Sequence, residues 1–312
     1  MPFGPGKKND QGKGGKVAGA RQLVSLARGV SIEEIEQAVR QPPRILFVSA
    51  EPDIDDLVSE LTGMRGMPTL EVVSPDSVPR DLGQYDVIVV HSRLSNADYL
   101  NVRKIAGVAS HRVFDAGQAV DINELRTRIV EHAGNGAAAL GRWYPGFRDA
   151  AATAIINETS RANAQFTLMT AVPSAIPVIG SFAMAGADMI VLTKNQLLMA
   201  IKLAAVHGKP FGDKKAILKD LMPVIGSGFV WRSLAREAVV FLPFAAGTIP
   251  RVAIAFAGTY TTGRAVDAYY RFGKKPTKTQ LNDYYQQAMA LVKARFAKPR
   301  AVAEPETAAP LG

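Results

Sequence analysis

The sequence predicts an α/β unit with a small parallel sheet, followed by an all-α unit built of helical hairpins. Three observations carry that expectation. Between residues 30 and 134, short apolar runs alternate with stretches of about ten residues that carry apolar side chains at helical spacing. Beyond residue 150 every apolar stretch has helical length, and none is strand-like. Finally, the phrase PVIGS occurs twice, at Pro177–Ser181 and Pro223–Ser227, and a third Pro-bounded stretch, LPFAAGTIP, spans Leu242–Pro250. Pro and Gly punctuate helices, so these are bends between stems.

In chain order, residues 1–28 are rich in Gly and Lys and poor in large apolar side chains, as expected of a disordered basic arm. Ile32, Ile35 and Val39 then space one face of a helix. PPRILFVSA (Pro42–Ala50) is expected to contain a buried strand, with a helix over Asp53–Leu61. Thr69–Ser74 and Tyr85–Ser92 supply two more strands, Asn96–Ile105 a helix, His111–Gly117 a fourth strand and Ile122–His132 a helix. This unit, residues 29–134, resembles a degenerate P-loop or Rossmann arrangement. GNGAAALG (Gly134–Gly141) suggests a linker over 135–149.

A hydrophobic helical-hairpin unit is expected over 150–275. Ala150–Val172 runs from a polar base (Asn157, Glu158, Arg161, Asn163) to an apolar end (Phe166, Leu168, Met169, Val172). After the first PVIGS bend, Ser181–His207 descends from apolar residues to Lys194 and Lys202. Asp213–Met222 and Phe229–Phe241 flank the second bend, and Arg251–Tyr270 follows the third, with Pro250 where a helix start tolerates it. An amphipathic helix over 276–297 and a loose tail, 298–312, complete the chain. Gly186, Gly258 and Gly263 fit close helix contacts.

Charge is unevenly spread over the 312 residues, whose formal net charge is +9. Residues 1–29 hold six Lys and Arg against one Asp, residues 30–135 ten against 17 acids, and residues 136–312 21 against ten. An acidic middle between basic ends predicts an anionic partner for the ends and a protein partner for the acidic face. Few aromatic residues accompany Lys7, Lys8, Lys13, Lys16, Arg21 and Arg28, which disfavours nucleic acid. With no Cys, disulfides and thiolate metal sites are excluded. No apolar run of signal-peptide length opens the chain, so secretion is not expected.

Ala162–Ala187 is free of charge, long enough to enter the transmembrane window of about 20 residues. Pro173, Pro177 and Gly180 interrupt it, however, and basic residues would lie on both sides of spanning helices, against the positive-inside rule. Hairpins dipping in from the cytoplasmic side of an inner membrane remove the conflict, because their basic stems then meet anionic headgroups. The expected contacting tips are Val172, Pro173, Ile176, Pro177, Val178 and Ile179 in the first bend, and Pro223, Val224 and Ile225 in the second. Leu242, Pro243, Phe244, Ile249 and Pro250 form the third. Asp188 and Arg251 are expected to form a buried ion pair. A soluble helical interaction protein whose tips pack together is the alternative.

No reaction is legible. The best register of the phosphate-loop pattern puts Val48 and Asp53 at its glycines, Ile54 at its Lys and Asp55 at its Ser/Thr, so carboxylates stand where phosphate would bind. The guanine-selecting N-K-x-D pattern is missing, with HRVFDAG in its place. Against a phosphate-accepting receiver pattern, Ser49 and Ala50 replace the acidic pair and His91 the acceptor. Neither a nucleophile elbow nor metal-ligand His spacing occurs. No catalytic residue, metal or cofactor is expected, which leaves a non-catalytic adaptor; a nucleotide-binding regulatory protein is the alternative.

One resemblance bears on this. RWYPGFRDAAATAIINETSRANAQF, AVPSAIPVIGSFAMAGADMIVLTKNQLLMAIKLAAVHG and LMPVIGSGFVWRSLAREAVVFLPFAAGTIPRVAIAFAGTYTTGRAVDAYYRFGK occupy most of Leu140–Lys275. Together they resemble a bacterial hydrophobic domain of unknown function, the six-ninety-seven type. That domain is found C-terminal to some GTPase domains and in predicted inner-membrane proteins. The resemblance implies a membrane-associated helical module coupled to a nucleotide switch, and supplies no catalytic residues. Here the switch would be a pseudo-GTPase-like remnant.

Overall fold

The structure, a computed structural model, describes residues 32–51, 54–66, 69–91, 96–117, 121–170, 181–211 and 248–297, with backbone alone at 108–110, 117, 181–190, 248–250 and 295–297. The first half alternates as expected: α1 (Ile32–Ala38), β1 (Ile45–Val48), α2 (Ile54–Thr62), β2 (Leu70–Val73), β3 (Val87–His91), α3 (Asn96–Ala106), β4 (Val113–Gly117) and α4 (Ile122–Ala133). The four strands form one parallel sheet in the order β2-β1-β3-β4. β1 is central, pairing Ile45 with Leu70 on one side and with Val87 on the other.

Strand side chains alternate between two cores. Ile45, Phe47, Val87, Val89, Phe114 and Ala116 face α1, α2 and α4. Leu46, Val48, Ile88, Val90 and Val113 face Leu82, Tyr85 and the α3 residues Val102 and Ala106. Because both faces are covered, β1 and β3 consist wholly of buried apolar residues except His91, itself buried.

The expected linker is not one. Residues 137–143 form α5 (Ala137–Trp143), with Ala137, Ala138, Ala139, Leu140 and Gly141 all buried. Ala is the best helix former, and small side chains let a helix sit deep between others. A Cβ placed at Gly141 would lie 2.8 Å from Ala151 Cβ and 2.9 Å from Val206 Cγ1, so Gly here serves close packing. The next turn is a joint: the Tyr144 hydroxyl, fully buried, donates to Pro43 O at 2.7 Å and bonds the Thr69 hydroxyl at 2.9 Å. Trp143 Nε1 donates to Val39 O at 2.9 Å. Gly146 packs on the end of α2, where a Cβ would overlap the Leu61 carbonyl.

The rest is helical: α6 (Arg148–Thr170), α7 (Ser181–Val206), α8 (Thr248–Phe272) and α9 (Lys278–Ala297). Ile155, Ile156, Ile201, Val206 and Val266 belong to the same apolar cluster as Ile45 and Phe47, so sheet and helices share one core. Gly263 permits the expected close approach: a Cβ there would meet Ile156 Cγ1 at 2.7 Å and Met199 Sδ at 3.0 Å. Gly258 does not, since nothing lies within 4 Å of its added Cβ. In α9, Leu281, Tyr285, Ala288 and Met289 fall on one face and pack against the core, as the amphipathic pattern requires. Thr277 and Gln280 cap that helix reciprocally, side chain to backbone in both directions.

Candidate functional site

Three places carry polar or exposed features that packing alone does not demand. The first is the carboxyl end of the sheet. The chain leaves β1 toward β2 on one side and returns to β3 on the other, so the strand order reverses beyond Val48 and His91, the position where open α/β sheets hold ligands. Ser49 is buried, and its hydroxyl accepts the Glu51 N–H at 3.0 Å, turning the chain sharply off the strand. His91 Nδ1 stands 3.9 Å from Glu51 Oε1. Beyond the turn, α2 presents Asp55 and Asp56 in its exposed first turn. Carboxylates there complement the positive end of the helix dipole themselves, and repel a phosphate from the position it would otherwise take. Asp53 and the other residues of the β1–α2 and β3–α3 turns at 52–53 and 92–95 lie outside the described residues. Among the described residues no group of His, Asp and Glu has the disposition of a metal site.

The second place was missed by the sequence reading. At the base of the helices, His207 Nε2 and Asp267 Oδ1 are 2.8 Å apart, both side chains over nine-tenths buried. Arg271 Nη2 lies 3.4 Å from Asp267 Oδ2 and 2.6 Å from Asp149 Oδ1, and Arg264 Nη1 is 3.9 Å from Asp267. Burial alone would pull the Arg271 guanidinium down, but Asp267 and Asp149 outweigh it and hold the pKa above its ordinary value. The cluster borders a cleft of about 270 Å³ that also includes Thr153, Phe272 and Tyr284. Two carboxylates, two guanidiniums and an imidazole meet in it, so it acts as a latch joining the ends of α6, α7 and α8. Nothing in the sequence marks it, because His207 and Asp267 are 60 positions apart and neither belongs to a motif.

The third place is the far end of the helical layer. A buried amide network crosses it. Asn163, fully buried, donates to the Thr259 hydroxyl at 2.9 Å and accepts from Asn195 Nδ2 at 2.8 Å, while Gln196 Nε2 also reaches Thr259 at 3.3 Å. One turn further along α6, Leu168 is 50% and Met169 76% exposed. The expected tip residues Val172, Pro173, Ile176, Pro177, Val178, Ile179, Pro223, Val224, Ile225, Leu242, Pro243 and Phe244 lie outside the described residues. Ile249 and Pro250 fall in the first turn of α8. Arg251, expected in a buried pair with Asp188, is exposed instead. At the open first turn of a helix a guanidinium keeps its water, and burying it would cost several kcal/mol. The side chain of Asp188 is outside the described residues. Among the described residues, no helix is long and apolar enough to cross a membrane.

No family model, no curated protein and no solved structure matches this chain.

Proposed function

We propose that this chain is a non-catalytic adaptor that docks on the cytoplasmic face of an anionic membrane through the bends of its helical layer, and presents the acidic α/β face to a protein partner. The observation that carries the reading is the exposure of Leu168 and Met169 at the end of α6 that leads into the apolar first bend. Two large apolar side chains facing water at a helix end are accounted for by lipid contact. The net positive charge of residues 136–312 supports it, since basic stems beside such a tip attract anionic headgroups. The resemblance to the hydrophobic six-ninety-seven type and a pseudo-GTPase-like role for the sheet unit belong to this proposal.

Flotation with lipid vesicles tests it. Wild-type protein should float with vesicles containing anionic lipid and much less with neutral ones. Leu168→Asp combined with Met169→Asp should lower the bound fraction about tenfold or more while the melting temperature stays unchanged, because both side chains are exposed. Full binding by the double variant would sink the membrane reading.

The reversal of strand order between β1 and β3 favours a second reading, nucleotide binding, because doubly wound sheets hold ligands at that position. Titration with labelled GTP and ATP, with and without magnesium, separates the two. Magnesium-dependent binding at micromolar concentration would replace the non-catalytic role, whereas the carboxylates of Asp55 and Asp56 predict none.

A further inference from the structure

We infer that the groove along the outer edge of β2 binds an extended cationic segment of a protein partner as an added strand, one in which apolar and basic residues alternate. That partner is the protein already proposed for the acidic α/β face, on which this inference rests. The groove has a volume of about 570 Å³. Val58, Leu70 and Val72 supply its apolar wall, and Asp55, Asp56 and Glu71 its carboxylates. Arg65, also in the lining, lies 3.5 Å from Asp56, so the carboxylates outnumber the cation there.

Backbone geometry makes the edge a template. The Thr69 and Val73 carbonyls accept from the Ile45 and Ser49 N–H groups at 2.8 and 3.0 Å, so residues 69, 71 and 73 point their backbone groups toward β1. By alternation, the N–H and C=O of Leu70 and Val72 face outward, where no described strand pairs with them. The other outer strand, β4, differs: the Arg128 guanidinium donates to its Ala116 and Asp115 carbonyls at 3.1 and 3.5 Å. The side chains of Leu70 and Val72 are only half-buried, and both lie on the Phe47 face of the sheet, as does α2 with Asp55 and Asp56. Glu71 lies on the opposite face, exposed, where it accepts the Tyr85 hydroxyl.

The chemistry of the occupant follows from that arrangement. In an extended strand, side chains alternate between faces, so those level with Leu70 and Val72 fall on the α2 face and those level with Glu71 on the other. Apolar side chains on the first face cover Leu70, Val72 and Val58, while basic ones on the second meet Glu71. A further basic residue where the groove reaches the first turn of α2 meets Asp55 and Asp56. Strand addition of this kind draws affinity from main-chain bonds and selectivity from alternate side chains. A second copy of this chain is the wrong partner, because pairing β2 with itself sets one group of carboxylates against another. Anionic ligands are repelled for the same reason.

Fluorescence polarisation with the full-length protein, free of lipid, tests this. The probe is a labelled eight-residue peptide of alternating Val and Arg, which should bind at micromolar concentration. Two further peptides have N-methyl groups on the backbone nitrogens of either the Val or the Arg residues. In the frame that faces β2, methylation blocks the main-chain bonds and should weaken binding about tenfold or more, whereas the other frame should bind as before. Asp55→Lys with Asp56→Lys, both exposed, should also weaken binding about tenfold or more at an unchanged melting temperature. Glu34→Lys with Glu36→Lys makes the same charge change on α1, which does not line the groove, and should leave binding within about twofold. Equal binding by both methylated peptides would overturn strand addition and leave the acidic face as a charge-driven docking surface. Equal losses in the two double variants would overturn the groove as the site. No binding by about 1 mM peptide would overturn the inference outright, while membrane docking, read by flotation, would stand.

Discussion

Single side chains hold the two ends of this structure together, and their energetics can be tested one at a time. Asp267 is the centre of the basal latch, with its carboxylate shared between His207 and Arg271. Asp267→Ala leaves the His207 ring and the Arg271 guanidinium without that carboxylate, and removing one partner of a buried pair typically costs about 3–5 kcal/mol. Because the Arg271–Asp149 contact is partly exposed and survives, the low end of that range is expected in urea unfolding; a loss below about 1 kcal/mol would show that the latch is dispensable. Tyr85 makes a different prediction. Burial, reinforced by the Glu71 carboxylate that accepts its hydroxyl, pushes its pKa up to about 12 from the ordinary 10.0. A raised folded-state value means that the protonated phenol stabilises the fold fully below pH 10, and that this contribution fades as pH rises toward 12. The difference between ultraviolet titrations of wild type and Tyr85→Phe should therefore show a phenol ionising near pH 12, and a difference curve centred at pH 10 would refute the assignment.

At the scale of elements, what was legible depended on how a residue type can be used. The strands were plain because β1 and β3 are covered on both faces, and four or five consecutive apolar residues admit few other uses. Helices α1, α6, α7 and α9 followed from spacing, and their ends from turn chemistry. Gly208, at φ +71°, closes α7 by donating to Ala205 O while Lys209 N–H reaches Ala204 O, and Arg142 caps the same carbonyl end at 3.0–3.3 Å. Helix α5 was misread because Gly has two meanings. Gly134, at φ +52°, does turn the chain, but Gly141 is a packing residue inside a helix, and only the neighbouring helices reveal that. Gly141→Val should accordingly destabilise the protein by about 1–3 kcal/mol through overpacking against Ala151 and Val206. Gly136→Ala, whose Cβ would make an ordinary 3.6 Å contact with Ala133, should be nearly neutral. Equal melting temperatures for the two variants would refute the packing role. The latch and the amide network stayed invisible for a related reason: Asn163, Asn195 and Thr259 look like ordinary polar helix residues until three helices converge on them.

For the molecule as a whole, the expected division into a sheet unit and a helical unit bears directly on how it unfolds. Two units joined by a linker would melt independently. Here the Phe47 face of the sheet, α5 and the bases of α6, α7 and α8 form one continuous apolar cluster. The Tyr144 hydroxyl further ties Pro43 and Thr69 to the helical layer from inside that cluster. Exposing either half to water would strip apolar area from the other, so the two should unfold in a single transition. Far-ultraviolet circular dichroism, which follows the helices, should give the same urea midpoint as a fluorescent label at a position in the sheet unit, such as Leu100→Cys. Tyr144→Phe removes a buried hydroxyl and leaves the Pro43 carbonyl without it, which should lower stability by about 1–3 kcal/mol. Both probes should shift to the same new midpoint, because the joint belongs to neither half. If the label reported an earlier transition while the helices persisted, the shared core would have to be abandoned in favour of two separable units.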